Sequence, residues 1–581
     1  MGIAVTEPNT PRGEPGLVSP EDGLHIAVSG RIAWSEAALR QLAEQRSQSA
    51  ALAQAYRQHG ARLVSRLAGH FALTLIDPAR RCVLLATDRM GTRPLAYTRV
   101  GADGFVFGSS AESVRRHPAV QARVSPQAIY DYVYFHMIPS PRTIYLGIEK
   151  LERASLLVFD AGAVSTQRWW TPRFDEHAGT SLETLAGELQ STLRNAVSNC
   201  SPDAQTASFL SGGLDSSTVC GYHRELSGHP TAAYTIGFGA EGYDEMRYAR
   251  IAARHFGLDL REHYVTPDDI AGSMRDIARA YDEPFGNSSA VPTLACARRA
   301  HADGIRIMLA GDGGDEIFAG NDRYARQTLF EHYWRLPHAV RAAVIEPLVL
   351  GLPVSSWTPP TRKLRSYVTQ ARVPMPARLE TYNFIHRMTP QALFEPAFLA
   401  RVDTGQPPAM LDVSYGEAPA QTLVNRMMYL DWKITLADND LRKVGRMCEL
   451  AGIDVRYPML DDALIDLSLR VPAGLKLKGR ALRWFYKQAL RDFLPREIIE
   501  KTKHGFGLPF GVWLASSPPL QSLVYGSLDA LKQRAILKPA FIEQLLASQR
   551  DEHAAYYGDL VWVLSMLELW LSEHGVGVDQ A

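Results

Sequence analysis

The sequence predicts an α+β layered domain over residues 1–170, followed by an α/β domain with a mainly helical C-terminal part over residues 180–581. Two patterns predict this division. Short apolar or alternating runs that end in Gly, Pro or Asp fill the first part, as in antiparallel sheets. Strand and helix patterns alternate in the second part, as in parallel βαβ units. Because Arg168–Gly179 lacks either periodicity, we place the domain boundary there.

The first part contains four clear strand patterns and one clear helix pattern. The helix is predicted over Ser35–Gln45, where Ala38, Leu39 and Leu42 would line one face. The strand patterns are Gly23–Gly30, Phe71–Pro78, Cys82–Thr87 and Gly104–Gly108. Helical patterning appears only between such runs, which indicates layers of antiparallel sheet and helix.

The second part begins with strands and helices in turn. The strand patterns are Ser208–Leu210, Ala232–Ile236, Leu260–Val265 and Ile305–Ala310, and the helix patterns between the first three are Asp215–Leu226 and Asp244–Phe256. Ligands of such parallel sheets bind beyond the C-terminal ends of the strands, so we expect the chemistry in those loops. From Arg323 onward the pattern is mainly helical.

Composition excludes several classes of partner. The 581 residues include 62 Lys and Arg against 62 Asp and Glu, so there is no basic field for a nucleic acid and no polybasic run for a membrane. Five cysteines without a C-x-x-C pair argue against a zinc ribbon or a disulfide framework. With neither a secretory signal nor a spanning helix in the pattern, the sequence predicts a cytoplasmic protein.

The strongest motif is Leu210–Thr218, which reads L-S-G-G-L-D-S-S-T at a strand-to-helix turn. Two glycines allow the backbone to approach a ligand closely, and the amides that begin the following helix favour an anion such as pyrophosphate. A glycine-rich turn that merely caps a buried helix is the alternative. No Walker A motif occurs in the chain, so the predicted phosphate site is of another kind.

A second glycine-rich loop, Ala310–Gly320, also follows an apolar strand. Glycines lose much entropy on ordering and clustered carboxylates repel, so a loop of this composition suggests a bound cation. Asp215 and Asp315, one from each loop, are the candidate Mg²⁺ ligands, since this ion takes one or two carboxylates together with substrate phosphates. A solvated acidic turn is the alternative.

A third motif, Gly237–Gly242, matches the G-x-G-x-x-G pattern of dinucleotide-binding folds, with Glu262 about twenty residues further on. It follows the second strand of the series rather than the first. A dinucleotide site would also leave both glycine-rich loops unexplained, so we regard an oxidoreductase as the weaker hypothesis.

The two glycine-rich loops, with Asp282–Phe285 between them, resemble the pyrophosphate-loop ATPase domain of the asparagine synthetase family. Upstream, Asp88–Leu95 and Pro139–Tyr145 resemble the glutaminase half of that family, which has an Ntn-hydrolase-like sandwich fold. The resemblance implies an enzyme that uses ATP and Mg²⁺ to adenylate a carboxylate and then forms an amide. The residues that it implies for ATP binding are Leu210, Ser211, Gly212, Gly213, Asp215, Ser216, Ile236, Gly237, Ala310 and Gly311.

Departures from the family pattern concern both halves. Family glutaminases begin Met-Cys-Gly-Ile, whereas this chain reads Met1-Gly2-Ile3 and lacks the nucleophile that such an amidohydrolase needs. The glutamine-anchoring Asn-Gly-Glu segment appears as Ser29-Gly30-Arg31. Together with the apparent loss of the aspartate that holds the glutamine amine, these changes predict an N-terminal domain that generates no ammonia.

Four residues are implied as catalytic candidates. Arg483 falls in register with the family lysine that stabilises the acyl transition state, although Lys478 or Lys487 could take that role. Asp312 stands where relatives carry Glu or Tyr, and it either accepts a proton from the amine or only orders its loop. The matching segment Asp438–Arg446 adds Lys443 and Arg446.

The resemblance is greatest to glutaminase-dead members that join an activated carboxylate to an amine already in the substrate. It implies a lasso peptide cyclase, which adenylates an Asp or Glu side chain of a leader-processed peptide and closes a macrolactam with the peptide's N-terminal amine. A leader-recognition protein and a leader peptidase are the implied partners. The alternatives are a β-lactam synthetase-type enzyme, an ammonia-dependent amide ligase of the asparagine synthetase kind and a catalytically dead scaffold.

Overall fold

A computed structural model describes residues 17–21, 23–176, 179–240, 242–351, 358–381, 386, 388–502 and 507–577. It shows a mixed α/β chain in which helix predominates after residue 310. Among the described residues no helix is both long and apolar enough to cross a membrane.

The N-terminal part is built on antiparallel strands, as the sequence predicts. The strands are β1 Leu17–Glu21, β2 Leu24–Gly30, β3 Ala33–Trp34, β4 Leu67–Ala68, β5 Phe71–Asp77, β6 Cys82–Thr87, β7 Ala96–Val100, β8 Gly104–Gly108, β9 Glu149–Lys150, β10 Ser155–Asp160 and β11 Ala163–Arg168. Six of them form one sheet in the order β1-β2-β5-β6-β10-β11, and three form a second sheet in the order β8-β7-β9. The four predicted strands are confirmed to within one residue at each end.

Helices cover both outer faces of this pair of sheets. The helices are α1 Ala37–Gln45, α2 Gln48–His59, α3 Ala111–Arg115 and α4 Pro126–Phe135. Leu73 and Leu75 of β5 face the apolar side of α1 and α2, whereas Ala72 and Ile76 of the same strand face the second sheet. This alternation is the period of two that a strand buried on both faces requires.

The second part contains a parallel five-stranded sheet. Its strands are β12 Thr206–Phe209, β13 Ala232–Phe238, β14 Asp259–Val265, β15 Ile307–Leu309 and β16 Asp454–Arg456, in the spatial order β14-β13-β12-β15-β16. The first four strands were predicted and β16 was not. The chain adds strands on one side of β12 and then on the other, which makes the end of β12 a topological switch point.

Helices surround the sheet and form nearly all of the C-terminal part. They are α5 Leu182–Asn199, α6 Leu214–Ser227, α7 Met246–Phe256, α8 Pro267–Ala280, α9 Ala290–Ala302, α10 Gly314–Phe318, α11 Asp322–Trp334, α12 His338–Val340, α13 Glu346–Leu350, α14 Pro359–Ala371, α15 Pro390–Leu393, α16 Pro396–Leu399, α17 Gln406–Gly416, α18 Leu423–Asp431, α19 Leu441–Leu450, α20 Asp462–Arg470, α21 Ala473–Lys476, α22 Trp484–Ala489, α23 Arg496–Glu500, α24 Phe510–Leu514, α25 Pro518–Lys532, α26 Pro539–Asp551 and α27 Ala554–Glu573. Two hairpin strands, β17 Leu477–Lys478 and β18 Ala481–Leu482, precede α22. Every side chain from Leu560 to Leu571 is buried, so α27 is the core helix of this part.

One loop of the N-terminal domain braces the second domain through charges. Asp88 is buried and accepts hydrogen bonds from the backbone amides of Met90 and Gly91, at 2.9 and 2.8 Å, which fixes the loop. The loop then presents two arginines to the second domain. Arg89 pairs with Asp466 and Arg93 pairs with Asp454, each at 2.7 Å.

A second group of contacts between the domains is more deeply buried. The Lys150 ammonium lies 2.5 Å from the Glu283 carboxylate, and both side chains are at most 7% exposed. Asp282 accepts a hydrogen bond from the Ala111 amide at 2.9 Å and pairs with Arg442 at 2.8 Å. The acidic pair before Pro284 therefore joins the N-terminal domain to the helices of the C-terminal part.

We expect Lys150→Met to lower the stability of the whole chain, because it leaves the buried Glu283 carboxylate without its counter-charge. Removing one partner of such a pair costs about 3–5 kcal/mol. Calorimetry should show a lower unfolding temperature for Lys150→Met, and the double variant Lys150→Met/Glu283→Leu should recover most of the loss. Equal unfolding temperatures for the single and double variants would contradict this account.

Candidate active site

The switch point brings the two glycine-rich loops together. Residues 210–213 follow β12 and residues 310–313 follow its neighbour β15. The backbones touch, since a Cβ on Gly311 would lie 2.7 Å from the amide nitrogen of Ser216. The loops line a cavity of about 780 Å³ that also reaches α9, α19 and the segment before α22.

The first loop is shaped to leave the start of α6 open to an anion. Gly212 has φ +69°, and a Cβ there would lie 2.5 Å from the amide nitrogen of Ala249, so no other residue fits this turn. Gly213 is the N-cap of α6, and no side chain caps the helix. The hydroxyls of Ser211 and Ser216 lie 3.0 Å apart beside it. Uncapped amides at a helix N-terminus bind phosphate groups well.

The second loop owes its glycines to the carboxylates beside it. A Cβ on Gly314 would lie 2.1 Å from Oδ1 of Asp215, and one on Gly320 would lie 1.8 Å from Oδ1 of Asp315. Any larger residue at either position would displace the carboxylate. The glycines therefore make room for two acidic side chains and what they bind.

Arg483 holds both of these carboxylates. Its guanidinium forms a bidentate pair with Asp215, in which one nitrogen donates at 2.5 Å, and it donates to Oδ1 of Asp315 at 3.2 Å. The arginine is 3% exposed. Burial opposes the charge, but Asp215 and Asp315 outweigh it and raise the pKa of Arg483. The backbone of Arg483 is left-handed, at φ +54°, a conformation that is uncommon outside glycine and occurs often at functional sites.

The predicted Mg²⁺ ligands are carboxylates, the donor type that this ion takes, and both also accept hydrogen bonds from Arg483. Asp215 and Asp315 supply oxygen donors from the first turns of α6 and α10, and each carboxylate lies where a Cβ on Gly314 or Gly320 would be. In the described part of the chain, no group of three or more His, Cys, Asp or Glu side chains is placed to hold a metal. Since Mg²⁺ usually takes one or two carboxylates plus substrate phosphates, the remaining ligands would be nucleotide oxygens and water.

A second charged group lies across the cavity. The Lys443 ammonium is 3.2 Å from Asp440 and 3.9 Å from Asp312. Burial opposes its charge, but the two carboxylates outweigh this and raise the pKa of Lys443. Asp440 ends a π-helical segment, Trp432–Asp440, a type of helix that is frequent at functional sites.

Asp312 has an unusual protonation equilibrium. Its burial raises the pKa of this carboxyl to about 6, and the nearby Lys443 only partly opposes that rise. A carboxylate with a pKa near 6 is ionised at neutral pH and is a stronger base than an ordinary aspartate. It is therefore suited to accept a proton inside the cavity.

Most of the predicted site residues line this one cavity. Those that do are Leu210, Ser211, Gly213, Asp215, Ser216, Ile236, Gly311, Asp312, Asp315, Lys443 and Arg483. Gly212 forms the turn behind them and Ala310 is fully buried. Gly237 lies in β13, where a Cβ would meet the Tyr264 ring at 2.6 Å.

Two further residues singled out in the sequence do not line the cavity either. The Arg446 guanidinium donates to the carbonyl of Ala280 and pairs with Glu449, both at 2.6 Å, so it is engaged outside the cavity lining. The acidic residue of the dinucleotide pattern, Glu262, forms a bidentate pair with Arg250 on α7. That carboxylate is engaged within the fold rather than placed for a ribose.

Several cavity residues were not predicted. Lys501 lies 3.1 Å from Glu245 and donates to the carbonyl of Gly212 at 3.3 Å, so it supports the first loop from behind. Lys501 lies two residues before Lys503, and residues 503–506 lie outside the described residues. The other cavity residues that sequence reasoning passed over include Asn287, Ser289, Asp322, Asp440, Arg480 and Glu500.

In the N-terminal domain, Arg31 occupies the position of the expected glutamine-anchoring glutamate. Its guanidinium donates to the hydroxyl of Ser201 at 2.9 Å and to the carbonyl of Cys200 at 3.4 Å, both in the second domain. Arg31 therefore has the opposite charge to the expected glutamate, and its guanidinium is engaged by the second domain. The predicted loss of the nucleophile at Gly2 lies outside the described residues.

Comparison with known proteins bears on both domains. The family described as "Asparagine synthase" matches residues 188–572, and the family described as "Glutamine amidotransferase domain" matches residues 8–170. The chain resembles a solved enzyme described as the allosteric regulatory enzyme of purine biosynthesis with a TM-score of only 0.19 and 13% identity over 43% of this chain and 62% of that one. That similarity is too low to carry an argument.

Curated relatives are distant but extend over most of the chain. Asparagine synthetase [glutamine-hydrolyzing] 1 of Bacillus subtilis is 22% identical over 90% of this chain and 80% of its own length. A putative asparagine synthetase of Mycobacterium bovis is 24% identical over 90% and 79%. An amidase, chyE, of Penicillium rubens is 25% identical over 85% and 78%. Since the first family matches more than half of the residues, the chain belongs to the asparagine synthase family.

Proposed function

We propose that this chain is an ATP-dependent peptide cyclase of the lasso type. It adenylates an Asp or Glu side chain of a leader-processed peptide, releases pyrophosphate, and joins the acyl group to the peptide's N-terminal amine with release of AMP. The observation that carries the proposal is the shared cavity, in which an open helix N-terminus, Arg483 and the Asp312 carboxylate face one space.

Adenylation would use the two glycine-rich loops. The amides at the start of α6, with the hydroxyls of Ser211 and Ser216, would bind the pyrophosphate portion of ATP. Mg²⁺ held by Asp215 and Asp315 would offset the negative charge that pyrophosphate carries away. Arg483 adds a fixed positive charge at the same place, and preorganised charges of this kind usually supply the largest catalytic contribution.

Amide formation would then use Asp312. The amine nitrogen attacks the acyl carbon, the bond from that carbon to the AMP oxygen breaks, and the proton leaves the nitrogen for the Asp312 carboxylate. Lys443, 3.9 Å from Asp312, keeps that carboxylate ionised at neutral pH. Because the amine belongs to the substrate, the second step is intramolecular and requires no delivered ammonia.

The contacts of Arg31 support an amine that comes from the substrate. At a position where the family pattern has a glutamine-binding residue, Arg31 instead contacts the other domain. Two alternatives remain within the same chemistry. The curated relatives are named glutamine-hydrolysing asparagine synthetases, which favours an asparagine synthetase-like ligase, and with no glutaminase such a ligase would use ammonia. A β-lactam synthetase-type reaction would use the same cavity on a smaller substrate. A leader-recognition protein and a leader peptidase would supply the processed peptide.

The decisive experiment combines the chain with ATP, Mg²⁺ and peptides that have a free N-terminus and an internal Asp or Glu. Mass spectrometry should show the loss of one water together with stoichiometric AMP and pyrophosphate. Free aspartate with ammonium chloride is the comparison. Asparagine formation without any cyclised peptide would contradict the proposal and favour the ammonia-dependent ligase.

Arg483→Met should reduce pyrophosphate release about 10²–10³-fold, because two carboxylates in the cavity then lack their fixed counter-charge. The matched control is Arg491→Met, since Arg491 is 69% exposed and should be silent. Lys487→Met tests the alternative cation of the same helix. A larger loss from Lys487→Met than from Arg483→Met, with both proteins folded, would refute the assignment.

Cyclisation should accelerate as the pH rises through about 6, since the protonated Asp312 carboxyl cannot accept a proton and its carboxylate can. Asp312→Asn should abolish this dependence and slow amide formation about 10²–10⁴-fold. ATP–pyrophosphate exchange, which reports adenylation alone, should change little in the same variant. An unshifted pH profile in Asp312→Asn would exclude this residue as the base.

A further experiment addresses the N-terminal domain. Incubation with glutamine, ATP and a cyclisable peptide should produce no glutamate above the rate of a heat-inactivated sample, and glutamine should not alter the yield of macrolactam. Arg31→Glu, which restores the expected residue type at that position, should not create glutaminase activity by itself. Glutamate release by the unaltered chain would contradict the reading of Arg31.

A further inference from the structure

Four helices beside the cavity form an arm with a small core of its own. The helical arm consists of α11, α12, α13 and α14 together with the π-helical segment Arg341–Ile345. Phe330 and Tyr333 of α11 pack with Val349 of α13 and with Val368 and Ala371 of α14 in a cluster that is separate from the main core. The arm thus has its own support and leaves part of its surface uncovered.

The uncovered surface is unusually apolar. Among the described residues, thirteen large apolar side chains are exposed, and seven of these lie on the arm. Val340, Val344 and Leu348 are spaced by four residues along one helical run and so share a face. The seven are Leu329, Trp334, Leu336, Val340, Val344, Leu348 and Leu364. A concentration of exposed apolar side chains on one part of a protein marks an interaction site more often than scattered single residues do.

The same surface is basic, although the chain as a whole is neutral. Residues 322–350 and 359–372 contain eight Lys and Arg against three Asp and Glu. Two of the acids are engaged, Glu331 with Arg378 and Glu346 with the hydroxyl of Tyr333. Five basic side chains are exposed and form no ion pair with any carboxylate in the described part of the chain: Arg326, Arg335, Arg362, Lys363 and Arg372.

The arm begins at the cavity. Asp322, the first residue of α11, lines the cavity wall, and α11 packs against β18, which leads directly to Arg483. The thirteen residues of α11 extend about 20 Å at about 1.5 Å per residue. An extended peptide of roughly six residues covers that distance at about 3.4 Å each. A chain whose reacting group sits in the cavity can therefore lie along the arm.

We propose that the helical arm is the docking surface for the part of the peptide substrate that remains outside the cavity, and that this part is acidic and apolar. The inference rests on the proposed function for the substrate being a peptide. Charge complementarity selects the acidic composition, and the exposed valines and leucines select apolar side chains between the acids. Continuity with the cavity favours the substrate over a membrane or a second copy of the chain.

The test is fluorescence anisotropy of the full chain, without ATP, with two labelled probe peptides, one of alternating Glu and Leu and one of alternating Lys and Leu. The acidic probe should bind at least about tenfold more tightly, and added salt should weaken it. Arg362→Glu/Lys363→Glu and, separately, Val344→Ser/Leu348→Ser should each weaken it about tenfold. Arg491→Glu/Arg550→Glu, a double charge reversal outside the arm, should leave it unchanged.

Equal binding of the two probes, or an equal loss in the control variant, would overturn the inference. Two other results, each obtained while the acidic probe does not bind, would also overturn the inference. One is sedimentation of the chain with phosphatidylglycerol vesicles, and the other is a dimer in analytical ultracentrifugation, where the arm variants abolish the effect. Probe binding does not require catalysis, so the two proposals fail separately. A chain that binds the acidic probe through the arm but releases pyrophosphate with no peptide would retain the docking surface and lose the proposed function.

Discussion

The arrangement of the cavity depends on the contact of one buried guanidinium with two carboxylates. Asp215 lies in the first turn of α6 and Asp315 in the first turn of α10, and without Arg483 these acids would repel each other across the switch point. The arginine attracts both and so fixes the distance between the two glycine-rich loops. It arrives from a segment 168 residues beyond Asp315, which ties the helical C-terminal part to the parallel sheet. Because Ser211 belongs to the first of these loops and Asp312 to the second, the same contact also fixes the positions of these two side chains.

Local sequence patterns predicted the parts of this arrangement that have a local cause. Strand alternation located Phe71–Asp77 and Cys82–Thr87 almost to the residue, since each buries alternate side chains on two faces. Glycine-rich turns after apolar strands likewise located both loops. Local patterns do not predict the direction in which a side chain points or contacts between distant residues. Arg446 belongs to a matching segment, but its backbone position aims the guanidinium at Ala280, and no motif records that direction. The Lys501 ammonium donates to the Gly212 carbonyl although the two residues are 289 positions apart, and hydrophobic periodicity does not predict contacts between such distant residues.

The helical arm has a property that its sequence does not predict, which is the exposure of its apolar side chains. Its sequence reads as ordinary amphipathic helix, with apolar residues at helical spacing and charges between them. Val344 and Leu348 nevertheless remain exposed after folding. Exposure depends on which other elements pack against a helix, and the sequence of the helix alone does not specify them. The small cluster around Phe330 and Val368 is separate from the main core, and this separation shows that few other elements pack against the arm.

The buried charges between the domains have a consequence for how such a chain can change over time. Glu283 and Asp282 belong to the second domain, yet Lys150 and the Ala111 amide, which neutralise and bind them, belong to the first. Deleting the N-terminal domain would leave Glu283 without its counter-charge and Asp282 without the Ala111 amide, although Arg442 would still pair with Asp282. Losing the N-terminal domain would therefore call for compensating replacements in the other half. In this respect the two halves are inseparable parts of one fold, whatever reaction each performs.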